Sequence, residues 1–208
     1  MFQNSSTLPE NQSEVRAPEP VKILGKKLLH PYEPQKVEVL DENKIFTFRR
    51  ETIERPGDRS LSDYYTLHSG PWVNIIGVTP DDELILVRQF RVGTRQHSLE
   101  IPGGVIERDE DPADAAVREL AEETGFRGDA PIALGVMEPN PALFNNYTYT
   151  FLVENCQLAD DQQLDLGEEV QVELYRISDL PKLVTSGAIK HALVLAGFCF
   201  YQTYLAEK

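Results

Sequence analysis

Cysteine is scarce in this 208-residue chain, and the two present, Cys156 and Cys199, lie far apart. They match no zinc or CxxC spacing, and two thiols in a chain of this length make no disulfide scaffold. Basic residues are also in short supply: 20 Lys and Arg stand against 34 Asp and Glu, a formal net charge of −14. That deficit argues against sequence-independent binding to nucleic acid or to an anionic membrane, since both rest on a basic surface. The longest apolar run, residues 192–201, falls well short of the roughly 20 residues needed to cross a bilayer. Residues 1–20 are polar and have no apolar stretch of the kind a secretory signal carries. The four histidines, at 30, 68, 97 and 191, are scattered without ligand spacing or a nucleophile beside them, and none is assigned a role. No internal repeat or low-complexity tract stands out. These absences set the expectation of a soluble cytoplasmic protein without nucleic-acid or membrane partners. With 41% hydrophobic and 26% charged residues, the chain has the composition of one globular domain with a sizeable core.

Residues 1–20 read as a disordered lead-in, because nothing there offsets the entropy of ordering it. From 37 to 69, short β-branched and aromatic groups (Val37-Glu38-Val39, Ile45-Phe46-Thr47-Phe48, Tyr64-Tyr65-Thr66-Leu67) alternate with turn clusters, as in a small antiparallel sheet. A strand pair is expected at 72–79 and 84–89 around Pro80-Asp81-Asp82. Asp111-Pro112 opens the clearest helix and Gly125 closes it. Strands follow near 132–136, 147–153 and 170–177, then helical segments near 178–186 and 189–205. The fold class is α+β, a sheet core flanked by helices with a β-rich N-terminal arm.

On a wheel of about 100° per residue, Glu119, Glu122 and Glu123 share one arc of the 112–124 helix. Ala113, Ala116, Val117 and Leu120 fall on the neighbouring arc and are expected to face the core. Three carboxylates so placed repel one another by roughly 0.2–0.5 kcal/mol per pair. They also lie in the last turns of the helix, where its dipole disfavours anions by roughly 0.3–1 kcal/mol each. Arg118 relieves part of this, and a divalent cation relieves more. Clustered carboxylates are hard oxygen donors and suit Mg²⁺ or Mn²⁺ better than zinc. Between Glu100 and Glu123 there are nine acidic residues and two basic ones, so the chain's negative charge concentrates here.

Gly104, five residues, Glu110, seven residues, Arg118-Glu119-Leu120, one residue, Glu122-Glu123, one residue and Gly125-Phe126 match every fixed position of the Nudix box. The chain resembles a Nudix hydrolase. The resemblance implies an α/β/α sandwich with a mixed sheet, and a loop–helix–loop holding Mg²⁺ or Mn²⁺. Carried onto this sequence, it makes Glu119 and Glu123 the main metal ligands, with Glu122 a further ligand or a residue acting through water. The Gly103 carbonyl adds a backbone oxygen, and Arg118 orients the glutamates. Gly104, Glu110, Leu120 and Gly125 are the structural positions of the box. In relatives that cleave ADP-ribose a downstream loop Glu is a candidate general base, which here falls on Glu169 or Glu168.

Features outside the box resemble the ADP-ribose and nucleotide-sugar branch of the family. The stretch from Leu86 through Arg91 into Glu100-Ile101-Pro102-Gly103-Gly104 resembles its phosphate-contacting arginine strand, although that branch usually reads Pro-Ala-Gly before the box. A guanidinium suits bidentate phosphate binding, so Arg91 is the candidate diphosphate contact. Arg49-Arg50-Glu51 resembles an arm motif in which Arg and Glu meet the nucleobase, here Arg50 and Glu51. Phe144 or Tyr147, in the Pro- and Asn-rich segment 138–147, is a candidate for stacking on a base, whereas Trp72 is expected to pack. The implied organisation is a lead-in at 1–20, a dimerising β arm at 21–70 and a Nudix domain at 71–208. The implied activity is Mg²⁺-dependent hydrolysis of a nucleoside diphosphate sugar by a homodimer. The rival readings are a pyrophosphatase for damaged triphosphates or dinucleoside polyphosphates, and a non-catalytic nucleotide-sugar sensor. Messenger-RNA decapping is disfavoured by the acidic balance.

Overall fold

A computed structural model describes residues 32–164 and 167–208. The 1–20 lead-in, residues 21–31 of the arm and residue 166 of the loop before the 170–177 strand therefore lie outside the described residues. Strands β1 (Pro34–Glu42), β2 (Thr47–Glu54) and β3 (Leu61–His68) form an antiparallel meander of their own. Phe48 stacks on Tyr65 with ring centroids 5.9 Å apart, across the β2–β3 pairing. Val37, Val39, Leu61, Tyr64 and Tyr65 are exposed on this arm. It joins the rest of the chain through a short parallel bridge, in which Leu67 N–H donates to the Leu143 carbonyl at 2.7 Å.

The main sheet is built from β4 (Trp72–Val78), β5 (Glu83–Arg91), β6 (Gln96–Glu100), β7 (Gly103–Val105), β9 (Ile132–Met137), β10 (Thr148–Val153) and β12 (Val170–Arg176). Its path runs β12-β5-β4-β10-β9, with β6 on β5 and β7 on β4. The β4–β10 pair is parallel and the other pairs are antiparallel. A small pair, β8 (Phe126–Arg127) with β11 (Gln157–Leu158), lies beside it. Helix α1 (Pro112–Thr124) covers one face; α2 (Leu180–Thr185) and α3 (Ala192–Glu207) cover the other, after a short turn at Ile177–Asp179. Burial on both faces explains why β4 reads as a near-continuous apolar run. Val73 and Ile75 belong to the α1-side cluster, and Ile76 and Val78 to the α3-side cluster. The result is a mixed sheet between helices, the expected sandwich. Among the described residues no helix is long and apolar enough to cross a membrane.

Two sequence expectations shift. Segments β6 and β7 are strands that periodicity did not reveal, because they are short and β7 opens on two glycines. In α1 the core stripe is Ala115, Ala116, Leu120 and Ala121, while Val117 is 38% exposed. The stripe is turned from the expected arc, and Glu123, three residues beyond Leu120, falls on it.

Candidate functional site

The site starts at the ends of α1. Asp111 accepts from Ala113 N–H at 2.8 Å, satisfying a free amide of the first turn, and Pro112 supplies a helical φ without a wasted donor. Gly125 adopts φ 75°, a left-handed cap that only glycine takes at no steric cost. Between these ends, the helical stripe carries the Glu123 carboxyl inward toward β7, where an Oε2 accepts from Gly103 N–H at 2.9 Å. Burial pushes Glu123 up to about 8, the Gly103 hydrogen bond opposes this, and the charges of Glu119 and Glu168 add to the rise.

One turn earlier, Glu119 lies against Gly104 so closely that a β-carbon there would sit 2.3 Å from Oε1. Burial also raises Glu119, against the pull of Arg118. Arg118 is the hub of the cluster. It donates from Nε and Nη2 to the two Glu110 oxygens at 2.8 and 2.9 Å, and from Nη1 to Glu119 and Glu122, both at 2.9 Å. Glu110 is completed by the Glu107 N–H at 2.8 Å, and Arg118 holds its carboxyl below the usual range. The planar guanidinium thus spans three carboxylates at once, a geometry lysine cannot reproduce.

Among the described residues no three Asp, Glu, His or Cys side chains already surround a common point. The reason is visible in the same contacts: Arg118 ties Glu119 and Glu122 together while Glu123 turns to a backbone amide. The donor set nevertheless fits a hard divalent cation. All the acidic groups are oxygen donors, Glu123 has no basic side chain bonded to it among the described residues, and burial and mutual repulsion raise the proton affinity of Glu119 and Glu123, which a bound cation would reverse.

Arg91, at the end of β5, approaches this cluster from the sheet. It grips Glu100 on β6 with two parallel bonds, Nε to Oε1 at 2.8 Å and Nη2 to Oε2 at 2.7 Å. Glu100 is only 2% exposed. Burial pushes its carboxyl up, but the Arg91 guanidinium outweighs that and leaves it below the usual range. His191 Nδ1, just before α3, is buried 3.8 Å from the same carboxylate and has no hydrogen-bond partner.

Arg91, Glu100 and Gly103 form one end of a cavity of about 520 Å³. Trp72 and Asn74 of β4, Thr148 of β10, Phe144 and Asn146 also line it. Ile45 and Phe46 enter from the arm. Asn146 Oδ1 and Thr148 Oγ1 are buried without hydrogen-bond partners.

The structure therefore gathers Arg118, Glu119, Glu122, Glu123, Gly103, Gly104 and Glu110 at one place, with Arg91 beside them and Phe144 on the cavity wall. Leu120 packs into the α1-side core. Of the two loop glutamates, both exposed, Glu168 is the one whose charge bears on Glu119, Glu123 and Arg91. Arg50 and Glu51 do not line this cavity. Arg50 pairs with Glu38 at 2.7 Å, and Glu51 accepts from Thr66 at 2.9 Å and lies 3.1 Å from His68 Nε2. Sequence reasoning missed Glu100, although a charge between Leu99 and Ile101 in an apolar stretch was a usable signal. It also missed His191 and Asn146, and it treated Trp72 as packing alone.

The description "NUDIX domain" matches residues 68–197, more than half of the chain. An ADP-ribose pyrophosphatase of Bacillus subtilis is 29% identical over 156 residues, covering 74% of this chain and 84% of that protein. An ADP-sugar pyrophosphatase of Mus musculus is 31% identical over 126 residues, 56% of this chain and 58% of that one. A solved structure described as an ADP compounds hydrolase superimposes with a TM-score of 0.77 at 21% identity, covering 88% of this chain and 98% of its own. That last likeness speaks to the fold. The box on α1 and its glycine-closed ends, the sandwich that carries them and the domain match agree: the chain belongs to the Nudix family and is a Nudix hydrolase.

Proposed function

We propose that this chain hydrolyses the diphosphate bond of a nucleoside diphosphate sugar, with ADP-ribose as the leading substrate. The products are a nucleoside monophosphate and a sugar phosphate; for ADP-ribose these are AMP and ribose 5-phosphate. The observation that carries this reading is the cavity of about 520 Å³ that opens directly beside the box and holds Arg91 at that end. Its size suits a small-molecule ligand, and its mixture of aromatic and hydrogen-bonding walls suits a base and a sugar.

Glu119, Glu122, Glu123 and the Gly103 carbonyl are the residues that would hold Mg²⁺ or Mn²⁺. When bound, the cation supplies neutralisation of the diphosphate charge and activation of water. Arg91 binds a diphosphate oxygen with the face that Glu100 leaves free. Arg118, anchored by Glu110, orients Glu119 and Glu122. Glu168 accepts the proton of the attacking water, and Glu169 is the second choice for that role. Glu168→Gln then lowers kcat by about two orders of magnitude, the usual loss for a general base. Unchanged kcat in both Gln variants, at 168 and 169, removes this loop from the mechanism.

The same reading makes residues 21–70 a dimer arm. A three-stranded meander has little stability alone, and its exposed Val37, Val39, Leu61, Tyr64 and Tyr65 favour burial against a second copy. Arg50 and Glu51 would then serve the partner's cavity rather than their own. The two free cysteines are consistent with a reducing cytoplasm.

The test is Mg²⁺-dependent release of monophosphate from ADP-ribose, GDP-mannose, UDP-glucose, a dinucleoside polyphosphate and 8-oxo-dGTP. Turnover of ADP-ribose above the others supports the proposal. Turnover confined to triphosphates overturns it, and binding without release from any of them supports the sensor.

A further inference from the structure

The segment that follows β11 lies across the C-terminal end of α1. Ala159 and Asp160 N–H both donate to the Gly125 carbonyl, at 2.9 and 3.1 Å, and Gln163 N–H donates to the Glu122 carbonyl at 2.9 Å. The approach is close enough that a β-carbon at Gly125 would sit 2.2 Å from the Asp160 carbonyl oxygen. Arg127 of β8 anchors the same segment through Asp160 at 2.9 Å. Helix ends leave carbonyls without partners, and this strap supplies them.

Gln162 does something further. Its side-chain Nε2 donates to the Glu123 carbonyl on the helix and also to the Val170 carbonyl, at 3.2 Å, where β12 begins. An amide nitrogen carries two hydrogens, so both bonds are available together. Val170 pairs with Gln89 of β5. Continuing that antiparallel register by two residues would set Glu168 level with Arg91, and its charge acts on Arg91, Glu119 and Glu123.

We propose that Gln162 is a positioning residue for the Glu168 loop: its amide ties the start of β12 to the last turn of the carboxylate helix and so fixes where Glu168 stands relative to Glu119 and Glu123. The inference rests on the reading of Glu168 as the general base. Gln162 does not line the cavity and acts through the loop. Removing the tie loosens the start of β12 from the last turn of the helix, and the orientation needed for proton transfer becomes one of several open to Glu168.

Gln162→Met keeps the length of the side chain and removes both donors. It is expected to lower kcat for ADP-ribose by about tenfold, with KM within about twofold, since displacing a reacting group by a fraction of an ångström is enough. Thermal midpoint should stay near wild type, because the backbone strap at 159, 160 and 163 remains. In a Glu168→Gln background the same change should cost nothing more, as expected of two residues acting as one unit. Amide hydrogen exchange supplies a readout independent of turnover: residues 167–170 should exchange about tenfold faster in Gln162→Met, with α1 unchanged. Unaltered exchange there overturns the tie whatever the activity. Faster exchange with full kcat, or losses that multiply with those of Glu168→Gln, shows that Gln162 does not work through Glu168. A Glu168→Gln enzyme with wild-type turnover removes the base assignment, and this role of Gln162 with it.

Discussion

Two buried glutamates meet the cavity near Gly103, Glu100 on its lining and Glu123 behind the Gly103 amide, and the fold treats them in opposite ways. Glu100 is 2% exposed and gripped by both nitrogens of the Arg91 fork, so it stays ionised despite its burial. Glu123 is 6% exposed and, among the described residues, is hydrogen-bonded by a backbone N–H, so burial drives its carboxyl up to about 8. The first carries its counter-charge within the chain. The second has an oxygen-rich neighbourhood and, among the described residues, no guanidinium bonded to it, an arrangement that the proposed cation would relieve. A buried carboxylate without a cation is expensive enough that this difference marks function rather than packing.

The comparison is sharpened most by removing each charge in turn. Glu123→Gln is expected to reduce Mg²⁺-dependent hydrolysis of ADP-ribose by about 10²–10³-fold while leaving the fold intact. Steady-state rates and a circular-dichroism melt check both halves; retained activity would take α1 out of the metal site. Glu100→Gln acts differently. It leaves Arg91 without its ionic partner and should cost about 1.5–3 kcal/mol in urea denaturation, with metal affinity unchanged and a weaker grip on the diphosphate, read as a higher KM. If Glu100→Gln instead matched Glu123→Gln in lost metal affinity, the division between the two carboxylates would collapse.

A third prediction concerns pH in the presence of a chelator. Glu123 has an ordinary value of 4.5 and a folded value of about 8, so between them the folded chain keeps a proton that the unfolded chain has released. The stability this confers is full below the unfolded value and is lost as pH rises through the folded one. Wild type should therefore lose thermal stability relative to Glu123→Gln between about pH 5 and about pH 9. A pH-independent gap between the two melts would contradict it. Smaller still is the effect expected on the arm. Arg50→Ala should raise KM for ADP-ribose by about threefold to tenfold with kcat little changed, given that its Glu38 pairing is exposed. Light scattering should give about twice the 23.5 kDa of one chain; a monomer with the same KM shift would argue that the arm folds back on its own cavity.

Much of the carboxylate side was legible in the sequence because its signals are local. Asp111-Pro112 and Gly125 delimit α1 within a residue, and the spacing of Arg118, Glu119, Glu122 and Glu123 follows from helical periodicity. The split among the three glutamates was not legible. It depends on how the helix is rotated over the sheet, which the expected arc placed differently by treating Val117 as buried. The Arg91–Glu100 pair depends on the register of the β5–β6 hairpin, in which Arg91 faces Gln96 and reaches diagonally back along the strand. His191 comes to Glu100 from a helix some ninety residues downstream, and Gln162 acts through two backbone carbonyls, which leave no trace in a pattern of side chains. The choice between Glu168 and Glu169 is of the same kind, because adjacent residues at a strand entrance point to opposite faces.

Gly104 is usually described by its place in a motif, yet its backbone is not in the left-handed region that glycine alone tolerates. What matters there is vacancy of volume. The space a methyl group would take is the space the Glu119 carboxylate occupies, so the helix can bring that acid flush against the sheet only where the strand has no side chain. Gly104→Ala should consequently behave as the eviction of a ligand rather than as a backbone defect, sparing the melt and weakening the hold on the divalent ion.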